Sequence, residues 1–395
     1  MKYILKKLLF PIFVIQYLLI KIISFFKVVR FGILPTMRIG HFSADVHYYL
    51  TEEITPKSNN LDIFIKEEFI SNDYLYKIYK TKLIILPNFF FSEFIRLLKF
   101  FFKDKKHLVT LNPTTSRIDK SITINNSKIY IFSNKEKNFF KEFLNYHNFD
   151  LGKKIVLLMA RDDAYLKATY SFKKWNYHNF RDVNINNLVP TINYLLSKNY
   201  QVIRMGKISK KKLDINNNLF IDYSFSKFRD DSLDIQLIKN CDFIISNSLG
   251  LDSVGQVFDK PIFFFSLIPY ISIHSQNKNR FSILKKIYSN EKKRYMSMSE
   301  VFKCNLHNVY DGKIYEKLNL TIEENDPNEI LIGVKEFLDV INNQNHKLTL
   351  LQEKFWSNFE RNILEKKCNE KNLHSKKMIS LVGNNFIEKN SFFLE

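Results

Sequence analysis

The stretch DFIISNSLGLDSVGQVFDKPIFFF, Asp242 to Phe265, decides the fold. Asp242–Ser246 is a short apolar run bounded by polar residues, as a strand buried on both faces is. Asn247-Ser248-Leu249 makes a small polar turn, Gly250–Phe258 a helix, and Pro261–Phe265 a second strand. Two strands joined through a helix run parallel, because the helix carries the chain back to the same end of the sheet.

Working outward, the alternation continues. Ile155–Ala160 and Tyr200–Arg204 read as strands, and Leu219–Asp222 as a shorter one. Asn187–Lys198 is a helix with Leu188, Ile192, Leu195 and Leu196 on one face, and Pro190 sits in its tolerant first turn. Asp231–Lys239 is another helix. Nearer the start, candidate strands are Phe31–Pro35, Leu61–Ile65, Leu83–Leu86 and Leu108–Leu111, with helical patterns at Asp45–Glu53 and Phe91–Phe102. Ile118–Phe149 is a connector containing a helix. Two helices, Asn328–Ile341 and Leu348–Lys366, approach the end, and Leu381–Glu395 reads as irregular. The fold class is α/β, with doubly wound parallel sheets. A chain of 395 residues suits two cores. The divisions are 1–30, a first domain at 31–149, a second at 150–325, and terminal helices and tail at 326–395.

Sixty Lys and Arg against forty Asp and Glu leave a net charge of +20. Such an excess suits anionic lipid, phosphorylated substrates or nucleic acid, and a general bias toward Lys, Asn and Ile also contributes. No RNA-binding consensus, zinc finger or basic zipper occurs, so nucleic acid is set aside. Three cysteines without a C-x-x-C pair point to a reducing compartment. His41 and His47 are six apart and do not share a helical face, so no metal is expected. Neither G-x-G-x-x-G nor G-x-x-x-x-G-K-[ST] is present.

From Leu8 to Ile20 the chain is apolar except for Gln16, and Pro11 interrupts the run. Lys6, Lys7, Lys21, Lys27 and Arg30 flank or punctuate it. A span needs roughly 20 apolar residues, so this segment reads as lying on the inner face of the cytoplasmic membrane. Phe10, Phe13, Phe25 and Phe26 would turn to lipid, and removing residues 1–30 should leave a soluble, folded protein.

Ligands of open α/β sheets bind beyond the carboxyl ends of the strands. After Ile155–Ala160 come Arg161, Asp162, Asp163 and Tyr165: a cation for phosphate, and carboxylates for proton transfer. After Tyr200–Arg204 come Gly206, which permits a tight turn, and Lys207; Arg204 itself can fork onto a diphosphate. After Asp242–Ser246, Asn247, Ser248, Leu249 and Gly250 open a helix, where free N–H groups and the dipole attract an anion. Ser248 also suits a helix cap. In the first domain Phe31–Pro35 leads to Arg38, Gly40, His41 and Asp45. His41 is a natural base near neutral pH, with Asp45 beside it and Arg38 and Gly40 on the acceptor side.

Arg38-Ile-Gly-His41, Arg161-Asp-Asp-Ala-Tyr-Leu166, His178-Asn-Phe-Arg-Asp-Val-Asn184, Tyr200-Gln-Val-Ile-Arg-Met-Gly206, Ser246-Asn-Ser-Leu-Gly250 and Asn385-Phe-Ile-Glu-Lys-Asn390 together resemble a family of bacterial glycosyltransferases associated with surface-polysaccharide synthesis. The resemblance runs from about Arg30 to the end and is most specific from Arg161 to Pro261. It implies a GT-B fold of two facing Rossmann-like domains, with terminal helices crossing back onto the first. It implies a nucleotide-sugar donor held by the second domain, a glycan or lipid-linked acceptor at the first, and no catalytic metal or other cofactor. It adds His178, Asn179 and Arg181 as cleft candidates. Another transferase on the same scaffold, such as a polysaccharide pyruvyl transferase, and a non-catalytic basic protein that binds membranes or polyanions are the alternatives.

Overall fold

A computed structural model describes residues 2–53, 60–111, 129–171, 175–343, 347–365 and 378–395. The chain divides into two units, one drawn from Met1–Pro113 and Ile124–Ile131 and the other from the remainder up to Glu395.

Unit 1 contains α1 (Lys2–Ile23), β1 (Val28–Leu34), α2 (Ile39–Glu53), β2 (Asn60–Lys66), α3 (Asp73–Lys80), β3 (Ile84–Leu86) and α4 (Asn88–Phe100). The three strands form a parallel sheet in the order β1-β2-β3. The strand expected at Leu108–Leu111 is only one parallel bridge, from Leu108 to Phe31, on the free edge of β1. Gly32 permits that close approach: a Cβ there would lie 2.7 Å from Val109 Cγ1 and 2.9 Å from Phe64 Cε1. The order therefore reverses around β1, and the turn after β1 lies at this reversal. α3 was not foreseen. Asn72 caps it by accepting from the Leu75 N–H, and Tyr74, Leu75, Ile78 and Tyr79 are its buried face.

The N-terminal helix is longer than its apolar run suggested and continues through Pro11. Phe13 and Ile20 are buried with Val29, Phe31, Ile65, Phe94, Ile95 and Leu98. Phe13 thus faces protein, not lipid. The expectation that residues 1–30 are dispensable is corrected accordingly. Their removal takes Phe13, Ile20 and Val29 out of the core and cuts into β1, which starts at Val28. We expect a variant lacking residues 1–30 to show loss of protease resistance in unit 1; a cooperative, native-like fold would contradict this packing. The early part of the expected connector, 118–128, and Lys366 lie outside the described residues.

Unit 2 opens with α5 (Asn134–Tyr146), β4 (Ile155–Met159), α6 (Ala164–Thr169) and α7 (Val189–Ser197). β5 (Gln201–Met205), β6 (Phe220–Asp222), α8 (Asp231–Asn240), β7 (Phe243–Ser246), α9 (Asp252–Val257), β8 (Ile262–Leu267) and β9 (Arg280–Leu284) follow. Next come β10 (Lys286–Ser289), β11 (Arg294–Tyr295), α10 (Met298–Lys303), α11 (Gly312–Lys317), β12 (Leu320–Glu323), α12 (Pro327–Asn342) and α13 (Leu350–Glu365). β13 (Leu381–Val382) and α14 (Asn384–Lys389) end the unit. The main sheet has seven strands, all parallel, in the order β13-β9-β8-β7-β4-β5-β6. The chain leaves β4 toward β6 and then returns to the other side of β4 with β7. This reversal is the topological switch point of an open α/β sheet. β10, β11 and β12 form a separate small antiparallel sheet.

The central strands β4, β7 and β8 are buried, which is why they read as mainly apolar runs. α12 lies close because Gly333 has no side chain: a Cβ would meet Phe263 Cζ at 2.8 Å. Phe337 of α12 packs against Phe243, Phe263 and Phe281. Trp356 of α13 donates to the Ser380 carbonyl, and Asn358 to those of Phe393 and Glu395. These contacts of the two terminal helices all lie within unit 2. The tail, expected to be irregular, supplies β13, which pairs with β9, and α14. Burial of Phe386, Ile387 and Phe393 holds it in place.

Candidate functional site

The loops after β4 and β7 meet at the switch point. Asn247 ties them together: its Oδ1 accepts from the Arg161 N–H at 2.8 Å, and its Nδ2 donates to the Arg181 carbonyl at 3.0 Å. Arg161 Nε donates to Asp182 Oδ1 at 2.9 Å. Arg181 Nη2 donates to the Ser248 carbonyl at 2.7 Å. Ser248 is in the left-handed region with φ +61°, a conformation uncommon for a residue with a side chain. Contacts on both sides hold it there, from Arg181 at its carbonyl and from Asp252, which accepts the following N–H of Leu249 at 2.8 Å.

Lys285, just beyond β9, completes this group. It is 3% exposed, and its Nζ donates to the carbonyls of Asp182 (2.7 Å) and Phe180 (3.0 Å). Burial pushes Lys285 down to about 8, and the charges of Arg181 and Arg161 add to the shift against Glu324 and Asp182. Arg181 is pushed down to about 10, first by burial and then by Arg161. Its Nε is buried without a hydrogen-bond partner among the described residues. Three cations therefore gather at the carboxyl edge of the sheet closely enough to repel one another. Asp182 offsets part of this, though burial raises its own pKa despite Arg161. An entering anion would relieve the repulsion and take up free guanidinium donors.

The helix start after β7 differs from expectation. α9 begins at Asp252, not Gly250, and has six residues. Asp252 Oδ2 accepts from Ser246 Oγ at 2.7 Å as well as from Leu249 N–H. The expected anion-binding N–H is thus already bound by the chain's own carboxylate. Burial pushes Asp252 up to about 6, with its hydrogen bonds and Arg181 opposing. The folded pKa lies above the ordinary 3.8, so the folded state binds the proton more tightly. Stability contributed by this group should fall as pH rises from about 4 to about 6, by on the order of 3 kcal/mol. Asp252→Asn keeps an acceptor oxygen and removes the titration. Its melting temperature, measured from pH 4 to 7, should fall less than that of the parent; parallel curves would contradict this.

Asp162 and Asp163 also serve the loop. Asp162 accepts from the N–H groups of Ala164 (2.9 Å) and Lys210 (2.8 Å). Asp163 pairs with Lys167, whose hydrogen bond holds its carboxyl below the usual range. Tyr165 is half-buried, edge-on to Tyr170 at 6.3 Å. His178 stacks near Trp175 and Tyr177, and Asn179 is exposed with its carbonyl accepting from the Asp182 N–H.

Arg204 is 1% exposed. Nη1 donates to Asp222 Oδ2 at 3.0 Å and to the Lys211 carbonyl, so it joins β5 to β6 and to the loop between them rather than reaching for a diphosphate. Breaking a buried pair by removing one partner costs about 3–5 kcal/mol. Arg204→Met should therefore lower the melting temperature while the folded fraction keeps its nucleotide affinity. A large affinity loss at unchanged stability would restore the phosphate role. Next to it, Gly206 leaves room for Ser209 Oγ, 2.8 Å from where a Cβ would sit, and Lys207 pairs with Asp231 at 3.2 Å.

Unit 1 carries a different kind of group. The turn after β1 is shaped by Thr36, whose Oγ1 donates to the Phe69 carbonyl, and by Glu67, which accepts from the Met37 N–H. Arg38 is exposed and Gly40 buried. In the first two turns of α2, His41 Nδ1 and Asp45 Oδ2 are 2.9 Å apart, an i, i+4 pair on one helical face. Asp45 is 3% exposed, while the His41 side chain keeps 24% of its surface accessible. A buried carboxylate on Nδ1 orients the ring and leaves Nε2 to take a proton.

Lys285, Asp182 and Asp252 were not anticipated as site residues. Asp182 lies within the block His178–Asn184, and its place next to Arg181 was the available signal. Lys285 had none, because β9 does not read as a strand.

No protein-family model matches the chain, and no curated protein matches it. Among solved structures it is similar to a glycosyl transferase family 9 protein from Veillonella parvula, at 9% identity and a TM-score of 0.44 over 80% of this chain and 98% of that one. It is also similar to the ADP-heptose lps heptosyltransferase II of E. coli, at 11% identity and a TM-score of 0.39 over 80% of this chain and all of that one.

Proposed function

We propose that this chain is a glycosyltransferase that moves a sugar from a nucleotide-sugar donor to a surface-glycan or lipid-linked acceptor. The observation that carries the reading is the convergence of Arg161, Arg181 and Lys285 at the switch point of unit 2. That position is where open α/β sheets take nucleotides, and the mutual repulsion of the cations calls for a polyanion. The sequence resemblance to surface-polysaccharide glycosyltransferases points the same way, and each unit separately has the parallel α/β build of a GT-B half.

In the proposed reaction His41 takes the proton of an acceptor hydroxyl. The hydroxyl oxygen bonds to the anomeric carbon as the bond from that carbon to the diphosphate breaks. Arg161 and Arg181 stabilise the charge on the departing nucleoside diphosphate. No step assigns a role to a metal, so turnover should survive chelation with EDTA. The test is a thermal-shift screen of UDP, GDP, CDP and ADP, followed by transfer assays with the sugar conjugates of whichever nucleotide stabilises the protein. Stabilisation by one nucleotide and transfer of its sugar support the reading. Transfer of pyruvate instead favours the pyruvyl transferase alternative. Absence of any nucleotide-induced shift and of any turnover would leave a non-catalytic polyanion binder.

A further inference from the structure

From Leu8 to Ile20, α1 is apolar except for Gln16 and the Tyr17 hydroxyl. One side is core, through Phe13 and Ile20. Another side carries Ile12, Ile15, Leu19 and Ile22, which are 49%, 57%, 52% and 58% exposed. At 3.6 residues per turn the exposed set is centred roughly 130° round the helix from the buried one. A helix this apolar belongs inside a protein or against lipid, and here the protein covers only part of it. Among the described residues no helix is long and apolar enough to cross a membrane.

The uncovered side does not end with the helix. Phe25 and Phe26 follow it, 87% and 82% exposed. A second apolar element ends beside α1, on the flank that carries Phe10 and Tyr17. Phe100 and Phe101, at the end of α4, are 67% and 61% exposed, and the Phe101 ring meets Phe10 edge-on at 5.2 Å. Phe102 stacks on Tyr17 at 4.0 Å and fixes the α4 end against α1.

The exposed charge around this surface is mostly positive, with Glu93 of α4 paired to Arg96. The sequence holds no Asp or Glu before Asp45. Lys21, Lys27, Lys99, Lys103, Lys105 and Lys106 fringe the two elements and are exposed. The acid among them, Asp104, is buried and bound by Lys21 at 2.8 Å and Tyr17 at 2.9 Å. Apolar side chains ringed by cations complement an anionic lipid surface: rings enter the acyl boundary and lysines reach the headgroups.

We propose that the exposed side of α1 with Phe25 and Phe26, together with the α4 tip at Phe100 and Phe101, forms a two-element face that docks unit 1 on an anionic bilayer. α1 is then a built-in part of the fold with one side in lipid, not a detachable tether. This proposal stands apart from the catalytic reading and is tested without any donor.

The full-length protein is mixed with vesicles of phosphatidylcholine alone or with 30 mol% phosphatidylglycerol, and binding is read by co-flotation. Trp175 and Trp356 are 8% and 4% exposed, so a tryptophan placed at the face reports separately on contact with brominated acyl chains. Phe100→Trp and Phe26→Trp should both be quenched in the anionic vesicles. The double variant Phe100→Glu, Phe101→Glu, with α1 intact, should lose vesicle binding by roughly tenfold or more, since two apolar rings are replaced by charges. The two tryptophan variants keep the apolar bulk and give the answer if the double variant misfolds. The proposal is overturned if the α4 tip is unquenched, if the double variant binds like the parent, or if neutral vesicles bind equally well. It is also overturned if the full-length protein self-associates without lipid and the double variant abolishes that association, because a second copy would then cover the face.

Discussion

Arg181→Ala should remove the stabilisation of the protein by nucleotide. The side chain has two assets for an anion: a guanidinium repelled by Arg161, and an Nε with no hydrogen-bond partner among the described residues. Its Nη2 meanwhile holds the carbonyl of the left-handed Ser248. A charged hydrogen bond contributes about 1.5–3 kcal/mol, so losing the fork should weaken nucleotide binding on the order of 100-fold. Arg181→Lys keeps a charge but not the planar fork and should recover only part of this. Titration calorimetry on the folded variants measures the loss. The parallel measurement on Arg204→Met is the control, because that arginine is bound within the sheet. Nucleotide affinity unchanged in Arg181→Ala would remove the switch-point cations from the donor site.

What could be read from the sequence follows from how each element is buried. The strands β4, β5, β7 and β8 are covered on both faces and appear as runs such as Ile262–Leu267, bounded by Pro261 and by the Ile268-Pro269 turn. β9 is equally buried, but Arg280 and Ser282 interrupt its apolar run; Arg280 is satisfied by the Lys260 carbonyl, a partner no local pattern reveals. α3 hides its amphipathic face in Tyr74 and Tyr79, residues that read as polar or apolar depending on context. The site divides in the same way. Loops at strand ends could be located, since alternation alone gives strand direction. Which cation is sealed in the sheet could not, because Arg204 ends one strand reading and Arg161 follows another, and only Asp222 and Asp182 distinguish their surroundings. Gly250 looked like the start of a helix, and the Asp252 carboxylate, two residues on, changes what that start can bind.

His41→Ala should cost turnover and spare donor affinity. General-base catalysis by a positioned side chain contributes typically 10²–10⁴, so kcat should fall by about that factor. The nucleotide dissociation constant should remain that of the parent, because the proposed donor site is built from unit 2 residues. Asp45→Asn separates orientation from charge. The amide oxygen can still accept from Nδ1–H and hold the ring, but the negative charge that favours the imidazolium is gone. A kcat between those of the parent and His41→Ala is the expected result. Asp45 is 3% exposed, so both variants need circular dichroism and melting curves beside the kinetics, with activity expressed per folded molecule. The readout specific to a base is the pair of measurements together, kcat lowered and nucleotide affinity unchanged. A fold defect would lower both. Normal turnover in His41→Ala, with the protein folded, would remove the pair from the mechanism and return the search for a base to the loop at Asp162 and Asp163. There the hydrogen bonds from the Ala164 and Lys210 N–H groups and the pair with Lys167 would have to open first.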